Sequence, residues 1–166
     1  MNAETRTERN RTGASTSRLV AWQGGVVGGL LGGLVFGLLL SLSSPGVIHT
    51  AIPALYGIGA ESGVAGWVIH LSHAAVLGVV FAALADATLE EGFETNLKSG
   101  LLGLAYGLGV WAVLAVIVMP IWLDAVGFAG APDVPNVDLA SAVGHAAYGA
   151  VLGVTYGVLS GELSPQ

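Results

Sequence analysis

The sequence predicts an all-α protein, a four-transmembrane-helix bundle built from two tandem, parallel helical-hairpin repeats. Three observations lead there. Of 166 residues, 54% are hydrophobic and 10% charged, with a mean hydropathy of +0.77, a balance foreign to a soluble domain of this length. The charges are also segregated: Asp, Glu, Lys and Arg are missing from Leu19 to Ala60, Ser62 to Ala85, Ser99 to Leu123 and Leu139 to Gly161. Finally, small residues at four-residue spacing recur in two copies, each with one histidine set among them.

A helix crosses the hydrocarbon core with roughly 20 apolar residues. Each of the last three uncharged windows fits one crossing, and the first fits one crossing plus an apolar connection. Residues 1–18, rich in Thr, Ser, Asn and Arg, read as a disordered cytoplasmic tail. A signal peptide is the competing reading, opposed by the length of the run from Leu19 and by its counterpart later in the chain. The membrane domain then spans 19–161, and 162–166 is a short tail. The first helix, 19–43, holds two glycine lines, Gly24-Gly28-Gly32 and Gly25-Gly29-Gly33-Gly37. In water that density of glycine opposes a helix. In lipid the backbone has no other partner, and the glycines become contact surface.

The segment 44–61 is apolar but carries Pro45 and Pro53. It is too broken for a spanning helix and too apolar for a solvent loop, which suits an interfacial or re-entrant cap. Helices are expected at 62–85, 99–123 and 138–161. An acidic loop with Glu90, Glu91 and Glu94 joins the second to the third, and the connection 124–137 leads to the fourth. Trp67, Trp122 and Tyr56 fall near one boundary and Trp22 near the other, as an aromatic belt does. Arg6, Arg9, Arg11, Arg18 and Lys98 all fall on one side, so the positive-inside rule places both termini in the cytoplasm of a cell-membrane protein.

Laid without a gap, residues 22–84 match 97–159 at Gly25, Gly28, Gly32, Pro45, His70 and the run Ala75-Val76-Leu77-Gly78-Val79, which face Gly100, Gly103, Gly107, Pro120, His145 and Ala150-Val151-Leu152-Gly153-Val154. The helix ridges repeat with them. Gly66, His70, Ala74, Gly78 and Ala82 stand against Ser141, His145, Gly149, Gly153 and Gly157, and Ser62 and Gly161 extend the two lines in the same four-residue rhythm, which keeps side chains on one helix face. Two crossings per copy give parallel repeats related by an axis along the membrane normal. His70 and His145 then share a depth, roughly 10 to 12 Å inside the helix ends at 1.5 Å per residue.

Gly24, Gly28, Gly32, Gly66, Gly78, Gly103, Gly107, Gly149, Gly153 and Gly157 read as packing surface. A gap for a flat ligand or a pore is the other reading of the same pattern. A histidine in hydrocarbon faces the bundle interior and is a site by default, so His70 and His145, with His73 and its repeat mate Tyr148, form the candidate polar or ligand site. They can glue helices through carbonyl hydrogen bonds, ligate a b-type haem as a bis-imidazole pair, or relay protons or hold a metal. His49 and Asp124 coincide in the two connections and read as rim residues. No carboxylate in the helices joins His70 and His73, so no metal is assigned.

The acidic balance, a net charge of −6, gives nucleic acid nothing to bind. Without cysteine there is no thiolate site. No phosphate-binding GK[ST] loop and no catalytic triad order occur, so the chain reads as a non-enzyme. At GWVIH (66–70), GLAYGLGVW (103–111) with Met119-Pro120, and VGHAAYGAVLGVTYG (143–157), it resembles a family of small prokaryotic membrane proteins common in halophilic archaea and similar in pattern to the YagU-like inner-membrane proteins. The resemblance covers roughly residues 20–160. It implies a four-helix membrane domain whose histidine helices are its most recognisable part, and no established reaction. The expected role is a structural or accessory membrane component without a cofactor, its partners the lipid bilayer and a homo-oligomer or larger complex. A haem-binding or redox subunit and a small channel or carrier are the alternatives.

Overall fold

The computed structural model describes residues 3–88 and 95–162, with side chains for 21–88 and 97–159. Glu90, Glu91 and Glu94 therefore lie outside the described residues. Four helices are long and apolar enough to cross a membrane, over Ala21–Ser43, Gly63–Thr88, Leu97–Ala125 and Leu139–Leu159. No strand occurs among the described residues. The chain is a multi-pass, all-helical membrane protein in architecture.

Helix α1 runs Ala3–Ser43, so its backbone is helical well before the expected start near Leu19. No proline precedes Pro45, and nothing else in the sequence forces a break before it. Two short elements follow, a π-helical turn Val47–Ala51 and α2 at Ile52–Ala54. Helix α3 runs Gly63–Thr88. The third crossing is continuous but composite: α4 at Thr95–Val110, a π-helical stretch Trp111–Val118, and α5 at Met119–Ala125. Helix α6, Leu139–Glu162, returns. Side chains start both returning helices. Ser62 Oγ accepts from Ala65 N–H at 3.2 Å, and the Asp138 carboxylate accepts from Ala140 and Ser141 N–H, each at 3.1 Å. Both are N-caps that satisfy donors the helix cannot.

The two connections, at what we call the cap end, are built by the same chemistry. Proline has no N–H, and its ring excludes the carbonyl four residues back from the helical ladder. Before Pro53, Ile52 N–H reaches back five residues to Val47 O; before Pro120, Met119 N–H does the same to Leu114 O. The carbonyls so released are His49 O and Val116 O. Each is taken by the returning chain, from Ser62 N–H at 2.9 Å and Asn136 N–H at 3.0 Å. Each short helix then ends on a glycine at φ +74°, Gly57 and Gly127. Ile58 N–H bonds to Pro53 O and Phe128 N–H to Leu123 O, while Gly57 bonds to Ala54 O and Gly127 to Asp124 O. Two Schellman caps result, and their left-handed position is why glycine stands there. The proline that matches Pro120 in this chemistry is Pro53. The gapless overlay paired Pro120 with Pro45, because it could not allow for connections of unequal length.

Around the bundle the order is α3, α1, α6, α4. Backbones approach closely from α1 to α3, from α1 to α6 and from α4 to α6, whereas α3 and α4 barely meet. Helix α1 uses both glycine lines, one per neighbour. A Cβ on Gly25 or Gly29 would collide with the Gly78 or Ala74 carbonyl of α3. On Gly28 or Gly32 it would meet the Leu152 or Tyr148 carbonyl of α6, at 2.9 and 2.6 Å. In α4 the single line Gly103-Gly107 meets Gly149, Gly153 and the His145 carbonyl. The α3–α4 side is closed by aromatic side chains instead: Tyr106 O–H donates to Leu77 O at 2.8 Å, and its ring lies 5.4 Å from that of Phe81. Phe81 and Leu152 are fully buried in the core these elements enclose.

Candidate functional site

The candidate site forms where the first helix stops being glycine. The line Gly24-Gly28-Gly32 continues at the same spacing to Phe36, so the residue that follows the close α1–α6 contact is a large ring. That ring packs against both histidines. Its centroid is 5.5 Å from His70, edge-on, and 4.5 Å from His145. Gly144 makes room for it, since a Cβ there would strike the Phe36 ring. The matched histidines therefore share a packed phenyl group.

The histidines, alike in sequence, are bonded differently. His70, 8% exposed, donates from Nε2 to Gly33 O at 2.8 Å. That bond crosses from α3 to α1, at the level where Gly37 accommodates the Trp67 ring. Trp67 in turn stands edge-on to His70 at 6.1 Å. His145 donates from Nδ1 to Ser141 O at 2.8 Å, with Ser141 Oγ at 3.4 Å. Both partners lie in its own helix, so this bond joins nothing to anything else. A carbonyl can only accept, so the bonded nitrogen is the protonated one in each ring. Among the described residues, His70 Nδ1 and His145 Nε2 have no hydrogen-bond partner.

His73 and Tyr148 do not join this layer. His73 Nε2 shares a 2.5 Å hydrogen bond with Tyr56 Oη of the first connection, with the rings 5.7 Å apart. The connection thus reaches ten residues into α3, as a re-entrant cap would. Tyr148 crosses the bundle the other way, its O–H donating to Ala74 O at 2.9 Å. His49 pairs with Glu61 at 3.4 Å within the first connection. No group of three or more His, Asp or Glu able to hold a metal occurs among the described residues.

Of the glycines singled out, Gly28, Gly32, Gly78, Gly103, Gly107, Gly149 and Gly153 sit at backbone contacts, and Gly66 lies against the Ile48 carbonyl. Gly24 is looser, facing the Tyr156 ring at 3.5 Å, and Gly157 is buried. Phe36 and Tyr106 are not among the site residues that spacing singles out, and Tyr56 enters there only as part of the aromatic belt. Only Phe36 carried a signal: it is the sole Phe, Tyr or Trp between Trp22 and Tyr56 and extends a glycine line.

No family model matches the chain, and neither the curated proteins nor the solved structures contain a match.

Proposed function

We propose that the protein is a non-enzymatic component of the cell membrane, structural or accessory in role, with both termini in the cytoplasm. One observation carries this reading. Phe36 packs against both intramembrane histidines, and each imidazole already donates to a main-chain carbonyl. The His70 bond, which joins α3 to α1, is ordinary helix glue, about 0.6 kcal/mol on average and up to about 1.7, and the His145 bond stays within its own helix. The backbone-to-backbone glycine contacts support the same role, since they leave the helix faces occupied by one another. Lipid is the surrounding partner, and a homo-oligomer or larger membrane complex is the proposed context. The pattern shared with small prokaryotic four-helix membrane proteins agrees with it and adds no reaction.

Haem ligation by His70 and His145 is the reading this one competes with. It requires Phe36 to leave and His70 to surrender its bond to Gly33 if Nε2 is to bind iron. The visible spectrum of the detergent-purified protein after haem supplementation separates the two. The expected outcome is no Soret band. A Soret band abolished in the His70→Ala, His145→Ala double variant would replace the accessory reading with a haem-binding one. A small channel or carrier is favoured by one different feature, the ring nitrogens left unpartnered in the layer. Flux of protons and common ions in proteoliposomes equal to that of empty vesicles is expected, and flux above it would favour that alternative.

A further inference from the structure

The first connection does more than join two helices. Its π-helical turn and α2 insert apolar side chains into the cap end of the bundle: Ile48 is fully buried and Ile52 nearly so, in one cluster with Phe36 and Leu40. Together with Trp67 they stand between the histidine layer and the cap end. Yet the far part of the connection belongs to another cluster. Ala51 and Ala54 pack with Leu123, and the partly buried Leu55, Phe128 and Ala131 lie against them. Met119 is the one residue shared by both groups. A segment with its own small cluster is a natural unit of local opening.

Besides the burial of Ile48 and Ile52 and the Ser62 N–H bond to His49 O, single hydrogen bonds to side chains tie this segment down. Trp122 Nε1 donates to Leu55 O at 3.1 Å, tying it to α5. Tyr56, 57% exposed, is tied to His73 at 2.5 Å, and the His49–Glu61 pair closes its base. At one end the chain leaves α1 through Ser44 and Pro45, where helical bonding stops. At the other it turns at Gly57, φ +74°, and runs through Gly59, where an added Cβ would meet nothing. A π-helical turn marks the inserted part, and such turns in short form occur where helices do work.

We propose that residues 44–62 form a lid over the histidine layer, hinged at Ser44-Pro45 and Gly57–Gly59 and latched by Trp122 to Leu55 and by Tyr56 to His73. When closed, Ile48 and Ile52 plug the cap end. When open, water and small hydrophilic solutes reach Leu40 and, one turn deeper, Phe36 with the unpartnered nitrogens of His70 and His145. The lid does not depend on the accessory reading, because a structural component and a channel can both carry it.

The chain has no cysteine, so Leu40→Cys supplies a single thiol beneath the plug. Full-length protein in proteoliposomes is exposed, on the cap side, to a charged, membrane-impermeant methanethiosulfonate. Labelling of Leu40→Cys is expected to be slow, and adding Tyr56→Phe or Trp122→Phe is expected to speed it roughly fivefold, the effect of one hydrogen bond on the opening equilibrium. Gly59→Cys, in the exposed turn, should react fast with or without the latches. Equal Leu40→Cys rates in latched and unlatched proteins overturn the proposal. Amide hydrogen exchange of the protein without a cysteine gives an independent reading should Leu40→Cys fold poorly. Ile48–Ala54 amides are expected to exchange faster than those of Gly28–Phe36, and equal protection would mean that the segment opens only when the bundle does.

Discussion

The two hairpins begin from similar sequence and end in different relations to the bundle. In the first, α1 carries glycine on two adjacent lines and is gripped from both sides, by α3 through Gly25 and Gly29 and by α6 through Gly28 and Gly32. In the second, α4 carries glycine on one line and is gripped by α6 alone, leaving leucines where α1 has its second line. A strict twofold exchange of hairpins would make the α1–α6 and α4–α3 contacts alike. They differ because Gly103 and Gly107, the repeat mates of Gly28 and Gly32, are taken up by the α4–α6 contact, and Tyr106 bridges the wider gap to α3. The histidines divide the same way. His70 ties α3 to α1, whereas His145 bonds only to its own helix. A position repeated in sequence is thus used for assembly in one hairpin and left in reserve in the other.

Substitutions can break this comparison, and the largest effect is expected where backbones touch. Gly153→Leu should destabilise by about 3 kcal/mol or more, because its side chain would meet the Ser99 carbonyl with no room to relax. Leu152→Ala, the neighbouring buried residue, should cost about 2 kcal/mol through a cavity. Unfolding in mixed micelles ranks the two, and the opposite order would show that the α4–α6 contact is soft. Gly29→Leu, against the Ala74 carbonyl, should be as severe as Gly153→Leu if both hairpins close by backbone contact.

Next in size is the pair of histidines. His70→Ala should cost about 1 to 2 kcal/mol, losing an interhelical hydrogen bond and packing against Phe36 and Trp67. His145→Ala should cost less than half of that, since its bond is local. Equal losses in the same unfolding assay would mean that His145 contributes through Phe36 alone. Tyr106→Phe is expected to cost about 0.6 kcal/mol, the mean for an intramembrane hydrogen bond, and to leave the α1–α3 side unchanged as judged by hydrogen exchange. The smallest effect belongs to Gly109→Leu. Nothing lies within 4 Å of a Cβ built there, so a thermal melt within experimental scatter of the parent is expected, despite glycine's place in the same helix as Gly107.

Much of the architecture was legible because bilayers impose a simple rule: a backbone without water must form helices about 20 residues long. The charge-free windows therefore located all four crossings, and the ends of α3, α5 and α6 came within a few residues. The glycine lines lie at helix contacts, and which neighbour each line meets is not readable from spacing. The connections were harder. Pro45 looked like the partner of Pro120 in a gapless register, and only the released carbonyls of His49 and Val116 identify Pro53 as its chemical equivalent. The candidate site was half legible. Histidines among small residues announced themselves, but their partners are carbonyls, which every residue carries and no sequence pattern distinguishes.

Sequence by itself determined the all-helical apolar character, the number of membrane-length helices and the small-residue faces available for contact, since all three follow from local composition and from period. Tertiary structure alone decided that Phe36 touches both His70 and His145, that one histidine bonds across helices and the other within its own, and that α4 stays apart from α3. Those outcomes depend on the rotation of each helix about its axis. Rotation is set by which of several competing small-residue faces finds the closest partner, a comparison that exists only once all four helices are packed.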